Sequence, residues 1–355
     1  VSRLATALAV VLGTHAVAQT VPSSSLETWP GITLPEGSVS AISDQSLTVR
    51  PHDPSDPIRT LGWHQVRTIP DAIAAEHRDS AEAGRAIWRA GIRLDRGDWP
   101  GAAALLSALE DRYRGTPGPT STAYFRVLLR SRLAQLDRAA AAEAWLALRE
   151  VSDAPPAPNP QLIPLYETRP AGNELATDPS EDPIAESHAI AIGASTLEPG
   201  TVMARADRLF NAVGRDDPDA RLHAAIVGAD LGSPETREAA RDELRQAAES
   251  DDSFRGTWAR LAIARSLSRE PDDLSRRLSI AAFVEVSIRD QGVAPLLAGL
   301  ALAEAAVAAQ RISDPQSAQT LAAEFRERFP GHPAIATLPG ALDRARPSTT
   351  SETDP

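Results

Sequence analysis

Two distant segments of the chain share one cadence. Asp98 is followed at offsets of four, seven, eleven and fifteen by Ala102, Leu105, Leu109 and Tyr113, and Asp314 at the same offsets by Ala318, Leu321, Phe325 and Phe329. A weaker third copy runs from Asp137 through Ala141, Ala144 and Leu148. These spacings trace one face of an α-helix. An aspartate at the start accepts from free backbone N–H groups and meets the positive end of the helix dipole. The small residue lets the preceding helix lie close, and the bulky ones fill the groove with the next pair. A helical hairpin cannot bury such a face alone, so copies must stack on one another.

Composition agrees with stacked helices. Hydrophobic residues make up 42% of the 355, aromatics only 4%, and much of the apolar content is alanine, the best helix former. Many of the 29 prolines stand where helices start or in evident linkers. The chain has no cysteine, which excludes disulfides, thiolate chemistry, Cys-ligated zinc and a lipidated cysteine. All 36 basic residues are arginine, so P-loop phosphate binding and Schiff-base chemistry lack their lysine. A formal net charge of −12 argues against nucleic acid as a partner.

Residues 1–18 read as an export signal: Arg3, an apolar run from Leu4 to Gly13, then Ala16-Val17-Ala18, with cleavage expected after Ala18. The run is shorter than the ~20 residues that span a bilayer, and no later run is long enough for an anchor. The expectation is an exported chain, periplasmic or extracellular, with no transmembrane segment once the signal is cleaved. Residues 19–36 read as a disordered linker, and alternation of period two predicts a β-meander over 37–70, with strands near 38–42, 46–50 and 59–67. Helical hairpins are expected over 78–151, with helices at 78–95, 99–114, 121–136 and 138–151. A Pro-rich acidic linker is expected over 152–199. A second hairpin array over 200–333 follows, with helices near 201–214, 218–231, 234–250, 253–268, 272–289, 294–311 and 315–329. Asp217-Pro218, Ser233-Pro234 and Asp314-Pro315 each place a capping side chain before a proline at the first helical position. A disordered tail is expected over 334–355.

At this level the chain resembles the tetratricopeptide repeat (TPR). Ser121 to Ala147 carry Phe125 and Leu128 in the large first-helix positions, Asp137 at the turn, Ala141 as the small residue and Trp145 as a large one, with Leu148 next. Residues 299–332 supply Leu302, Ala306, Ala309, Ala318, Phe325 and the terminal Pro330, and Gly97-Asp98-Trp99 with Ala102 matches the turn of a third unit. The resemblance covers about 100 residues well and implies a mainly α fold, a TPR-like helical-hairpin α-solenoid behind the short β-meander. It also implies a concave face that binds peptides or proteins, and no catalytic activity.

Little in the sequence points to catalytic or metal chemistry. The seven histidines (His15, His52, His64, His77, His188, His223 and His332) are scattered, without HExxH, an i,i+4 pair or an Asp-rich calcium loop, so neither metal nor cofactor is expected. No GxSxG elbow is present. His223 reads as structural, and Trp88 as core. Asp216-Asp217, Asp251-Asp252 and Asp272-Asp273 invite a paired-carboxylate hydrolase, yet all stand at expected helix starts, where capping accounts for them.

One pattern points to a ligand. Arg85, Arg89, Arg93 and Arg96 recur at i, i+4, i+8 and i+11, in a stretch from Glu76 to Glu150 with 12 arginines against 10 acids. This forms an anion-facing strip for an acidic peptide, a carboxylate or a lipid headgroup, or for the chain's own acidic segment at 174–186. A solvated helix face would carry the same residues. The expected function is an exported, non-enzymatic scaffold that binds protein or peptide partners in the bacterial cell envelope. Two alternatives stand beside it: an envelope carboxylate-based hydrolase, and the β-meander as recognition module with Trp63 and His64 exposed and the helices as support.

Overall fold

The structure, a computed structural model, describes residues 26–29, 32–33, 37–51, 53, 55, 57–69, 71–154, 156–165, 179–194, 196–251 and 253–338. The expected export signal, most of 19–36 and the tail from 339 onward lie outside the described residues. The fold is mainly helical with a little antiparallel sheet near the N-terminus. The chain divides into two compact units: Val1–Gln135 with Glu143–Pro156, and Leu136–Ala142 with Ala157–Pro355.

The first unit holds strands β1 (Glu27–Thr28), β2 (Ile32–Thr33), β3 (Gly37–Ile42), β4 (Ser46–Pro51), β5 (Arg59–Gly62) and β6 (Val66–Thr68). They make two antiparallel three-stranded sheets, ordered β2-β1-β6 and β3-β4-β5. Two expectations are corrected here. The strand expected at 59–67 is broken by a 3-10 turn at Trp63–Gln65, where the Gln65 side chain accepts from the Gly62 N–H at 2.9 Å and the chain passes from one sheet to the other. The expected disordered linker contains β1 and β2, because Leu26 is buried and Trp29 stacks on Trp88 with ring centroids 3.7 Å apart.

Helices α1 (Asp71–Glu76), α2 (Arg78–Asp95), α3 (Trp99–Leu106), α4 (Glu110–Tyr113) and α5 (Pro119–Ala134) follow. The start of α6 (Arg138–Val151) belongs to the second unit and its end to the first. The helix expected over 99–114 breaks at Ser107–Leu109, where the Ser107 hydroxyl donates to the Ala104 carbonyl and competes with the helical ladder. Trp63 is 1% exposed and anchors a core with Leu47, Val49, Leu61, Val66 and Ala81. It lies so close to α2 that a Cβ on Gly84 would meet the Trp63 backbone at 2.5 Å.

The second unit holds α7 (Pro183–Gly193), α8 (Pro199–Ala212), α9 (Pro218–Leu231), α10 (Pro234–Ser250), α11 (Phe254–Ser268), α12 (Asp273–Arg289), α13 (Pro295–Arg311) and α14 (Pro315–Arg328). All but α11 and α12 open on proline, whose missing N–H costs nothing at that position. Each helix packs on the next, and α7, α9, α11 and α13 also pack on one another in sequence. That row is buried nearly all round: Ala224 to Asp230, Gly256 to Ala262 and Leu297 to Ala303 are unbroken buried runs.

The expected 152–199 linker is also corrected. It contains α7, and Leu162, Ile163 and Leu165 are at most 5% exposed, the last two sharing the core of α9 to α13. The Pro160 carbonyl accepts from Trp258 Nε1 at 3.0 Å. The segment has no helical or strand period, so its apolar residues gave no pattern to read. Similarly, the expected tail opens with a 3-10 turn at Pro333–Thr337 whose Ala334 is buried.

The opening cadence has a structural counterpart. Gly97, Leu136 and Ser313 all take positive φ, at 77°, 62° and 60°. The aspartate after each then accepts from an N–H three residues on: Gly101 at 2.9 Å, Ala140 at 3.0 Å and Ser317 at 3.1 Å. The left-handed residue closes one helix and the aspartate opens the next. The small residues Ala102, Ala141 and Ala318 are fully buried at the resulting contacts.

Candidate functional site

The amphipathicity of α2 follows from its residue order. Ser80, Ala81, Ala83, Gly84, Ile87 and Ala90 are buried, and the opposite face carries Arg78, Glu82, Arg85, Arg89, Arg93 and Arg96. All four expected arginines therefore share one face, and Arg78 extends it by two turns. At 1.5 Å per residue the strip is roughly 27 Å long. Arg93 is committed to Asp98, the N-cap of α3. The Gly101 N–H and then the Arg93 guanidinium hold the Asp98 carboxyl below the usual carboxylate range. Arg78, Arg85, Arg89 and Arg96 have no ionic or hydrogen-bonded partner among the described residues. Trp88, half-buried beside them, is occupied by its stack on Trp29, over which Arg67 lies at 5.5 Å.

Trp63 and His64 are not presented as a pair on the surface. Trp63 donates its backbone N–H to Thr120 Oγ1 and its ring N–H to the Ser43 carbonyl, both at 2.9 Å. Burial, and after it the nearby Arg126 charge, push the His64 imidazole down to about 4. A neutral, half-buried ring results.

A cleft of about 430 Å³ opens in the second unit between α7, α8 and α9. In its wall the Arg205 side chain, on α8, grips Glu186, on α7, through Nε at 2.9 Å and Nη2 at 2.8 Å. Both side chains are buried, at 6% and 7% exposed. Glu186 Oε2 also accepts from the Ser180 N–H at 2.9 Å. Leu209, Ala212, Val213 and Ala220 supply apolar lining, while Arg208, Asp216, Asp217 and Glu181 add charge. Sequence reasoning missed this pair, because a glutamate and an arginine 19 residues apart carry no local signal of meeting.

The remaining sequence candidates resolve into local roles. Asp217 caps α9 by accepting from the Asp219 and Ala220 N–H groups, and Asp272 caps α12 by accepting from Ser275. Asp251 accepts from the Ser253 N–H at 2.7 Å, and Asp252 lies outside the described residues. His223 is buried, with Nδ1 3.0 Å from Ser187 Oγ and its ring 5.2 Å from His188 and 5.3 Å from Trp258, bridging α7, α9 and α11. Of the acidic segment, residues 174–178 lie outside the described residues, and Asp182 caps α7. Among the described residues there is no cluster of three potential metal ligands, and no helix is long and apolar enough to cross a membrane. No protein-family model, curated protein or solved structure matches the chain.

Proposed function

We propose that the chain is a non-catalytic scaffold, a TPR-like α-solenoid that holds an anionic protein or peptide partner in the bacterial cell envelope. The recurring turn before Asp98, Asp137 and Asp314 and the sequential packing of α7, α9, α11 and α13 support the repeat reading. The observation that carries the binding reading is the α2 strip: exposed Arg78, Arg89 and Arg96 and half-buried Arg85 on one face, with no carboxylate of the described residues engaged by them. Guanidinium groups at helical spacing suit the carboxylates of an extended acidic segment, each forming paired N–H···O contacts. This reading puts the binding surface on α2 and not on the α7-α9-α11-α13 row, against which Pro160, Ile163 and Leu165 pack.

The hydrolase alternative has less behind it. Four carboxylates line the cleft, but Glu186 accepts from three N–H donors and Asp217 caps α9, so both already have structural roles. The meander alternative needs an exposed Trp63, and that ring is 1% exposed. Cross-linked capture from envelope extract, with the intact chain and with Arg85, Arg89 and Arg96 changed to glutamate, tests the scaffold reading. Loss of specific acidic partners is expected; capture of the same partners by the variant would refute it.

A further inference from the structure

The cleft between α7, α8 and α9 is a second site, separate from the α2 strip and independent of the scaffold reading. Arg205 is only 6% exposed, and Nε and Nη2 are both taken by Glu186. Its Nη1 makes no hydrogen bond among the described residues and is not one of the solvent-excluded polar atoms, so it is reached by solvent, and Arg205 lines the cleft. A guanidinium clamped on one edge and open on the other is a preorganised donor, because the ordering cost is already met by Glu186. Arg208, one turn further along α8, lines the same cleft and is exposed without a partner among the described residues. Asp216 and Asp217 stand at the turn into α9; Asp217 engages the α9 N-terminus through Oδ1 alone, which leaves Oδ2 available. Leu209, Ala212 and Val213 supply an apolar surface in the same cleft.

We propose that this cleft binds a small zwitterion with an apolar body, the chemistry shared by a free apolar amino acid and an apolar dipeptide. The carboxylate pairs with Arg205 Nη1 and Arg208, the ammonium with Asp216 and Asp217, and the hydrocarbon lies on Leu209, Ala212 and Val213. A simple anion meets the carboxylates of the cleft, and a simple cation meets its two guanidinium groups; a zwitterion has a partner for each. The volume of about 430 Å³ falls within the range of small-molecule pockets.

Isothermal titration of the full chain with L-leucine and L-leucyl-L-leucine, each beside its N-acetyl and C-amide forms, provides the test. Saturable binding of one zwitterion is expected, weakened at least ~10-fold when either end is blocked, as for a lost charge-assisted contact. The tighter of the two distinguishes amino acid from dipeptide. Arg208→Ala should weaken only ligands that carry a carboxylate, and Asp216→Asn only those that carry an ammonium; both positions are exposed, which spares the fold. Absence of saturable binding by either zwitterion, or blocked forms binding as tightly as free ones, would overturn the proposal. The α2 glutamate substitutions should leave these titrations unchanged, so failure here is separable from failure of the scaffold reading.

Discussion

Arginine works in opposite ways in the two units. On α2 the helix has a buried face and a wet one, and Arg78, Arg85, Arg89 and Arg96 fall on the wet one with no carboxylate engaged. In the second unit α9, α11 and α13 are buried on nearly all sides, so a guanidinium there must meet a carboxylate from another segment. Arg260 grips Asp290 through Nε at 2.9 Å and Nη2 at 2.6 Å, with side chains 8% and 2% exposed. Arg265 reaches Glu304 on α13, and Arg221 reaches Glu243 on α10. The same residue type fixes helix register where burial surrounds it and remains available to a partner where burial is one-sided.

Substitutions should separate these roles cleanly. Asp290→Ala leaves Arg260 buried and uncompensated, and should cost about 3–5 kcal/mol. Native-state hydrogen exchange should then rise in α11 and α12 and stay unchanged in α2; equal loss of protection in both would dissolve the distinction. The next largest effect is pH-dependent. His64 is neutral in both folded and unfolded chains above its ordinary value of 6.5, and its folded value is about 4. As pH falls from 6.5 toward 4 the unfolded chain takes up a proton that the folded one refuses, so stability drops by roughly 3 kcal/mol. His332, lowered chiefly by burial, has the same sign in the second unit. His64→Gln should therefore flatten the acid sensitivity of exchange in the first unit only.

Smaller effects sharpen the contrast. Ser233 accepts from the Thr236 N–H at the start of α10, and Ser233→Ala should cost about 1 kcal/mol in a chemical-denaturation midpoint. Arg89→Ala removes a side chain with no described partner, and should change stability by less than about 0.5 kcal/mol. A larger loss on that substitution would mean that the strip is holding the unit together.

Much of this was legible in the residues. Each Asp-Pro or Ser-Pro start placed its helix correctly at Pro218, Pro234 and Pro315, because cap chemistry is local. The arginines of α2 were found for the same reason, since helical period alone puts them on one face. What stayed hidden was non-local. The α7 helix reads as linker because prolines flank it and its buried face includes Glu186, Ser187 and His188, which look like surface residues until their partners are known. The commitment of Arg93 to Asp98 spans the turn between two helices, where no periodicity applies.

Binding by the proposed scaffold depends on the α2 arginines being free to engage acid. Fluorescence anisotropy of a labelled oligo-glutamate peptide, titrated with the full chain at low and at physiological ionic strength, measures this directly. Saturable binding that weakens with salt and disappears on changing Arg85, Arg89 and Arg96 to glutamate is the predicted result. Equal binding by that variant, or none by the native chain, would contradict it.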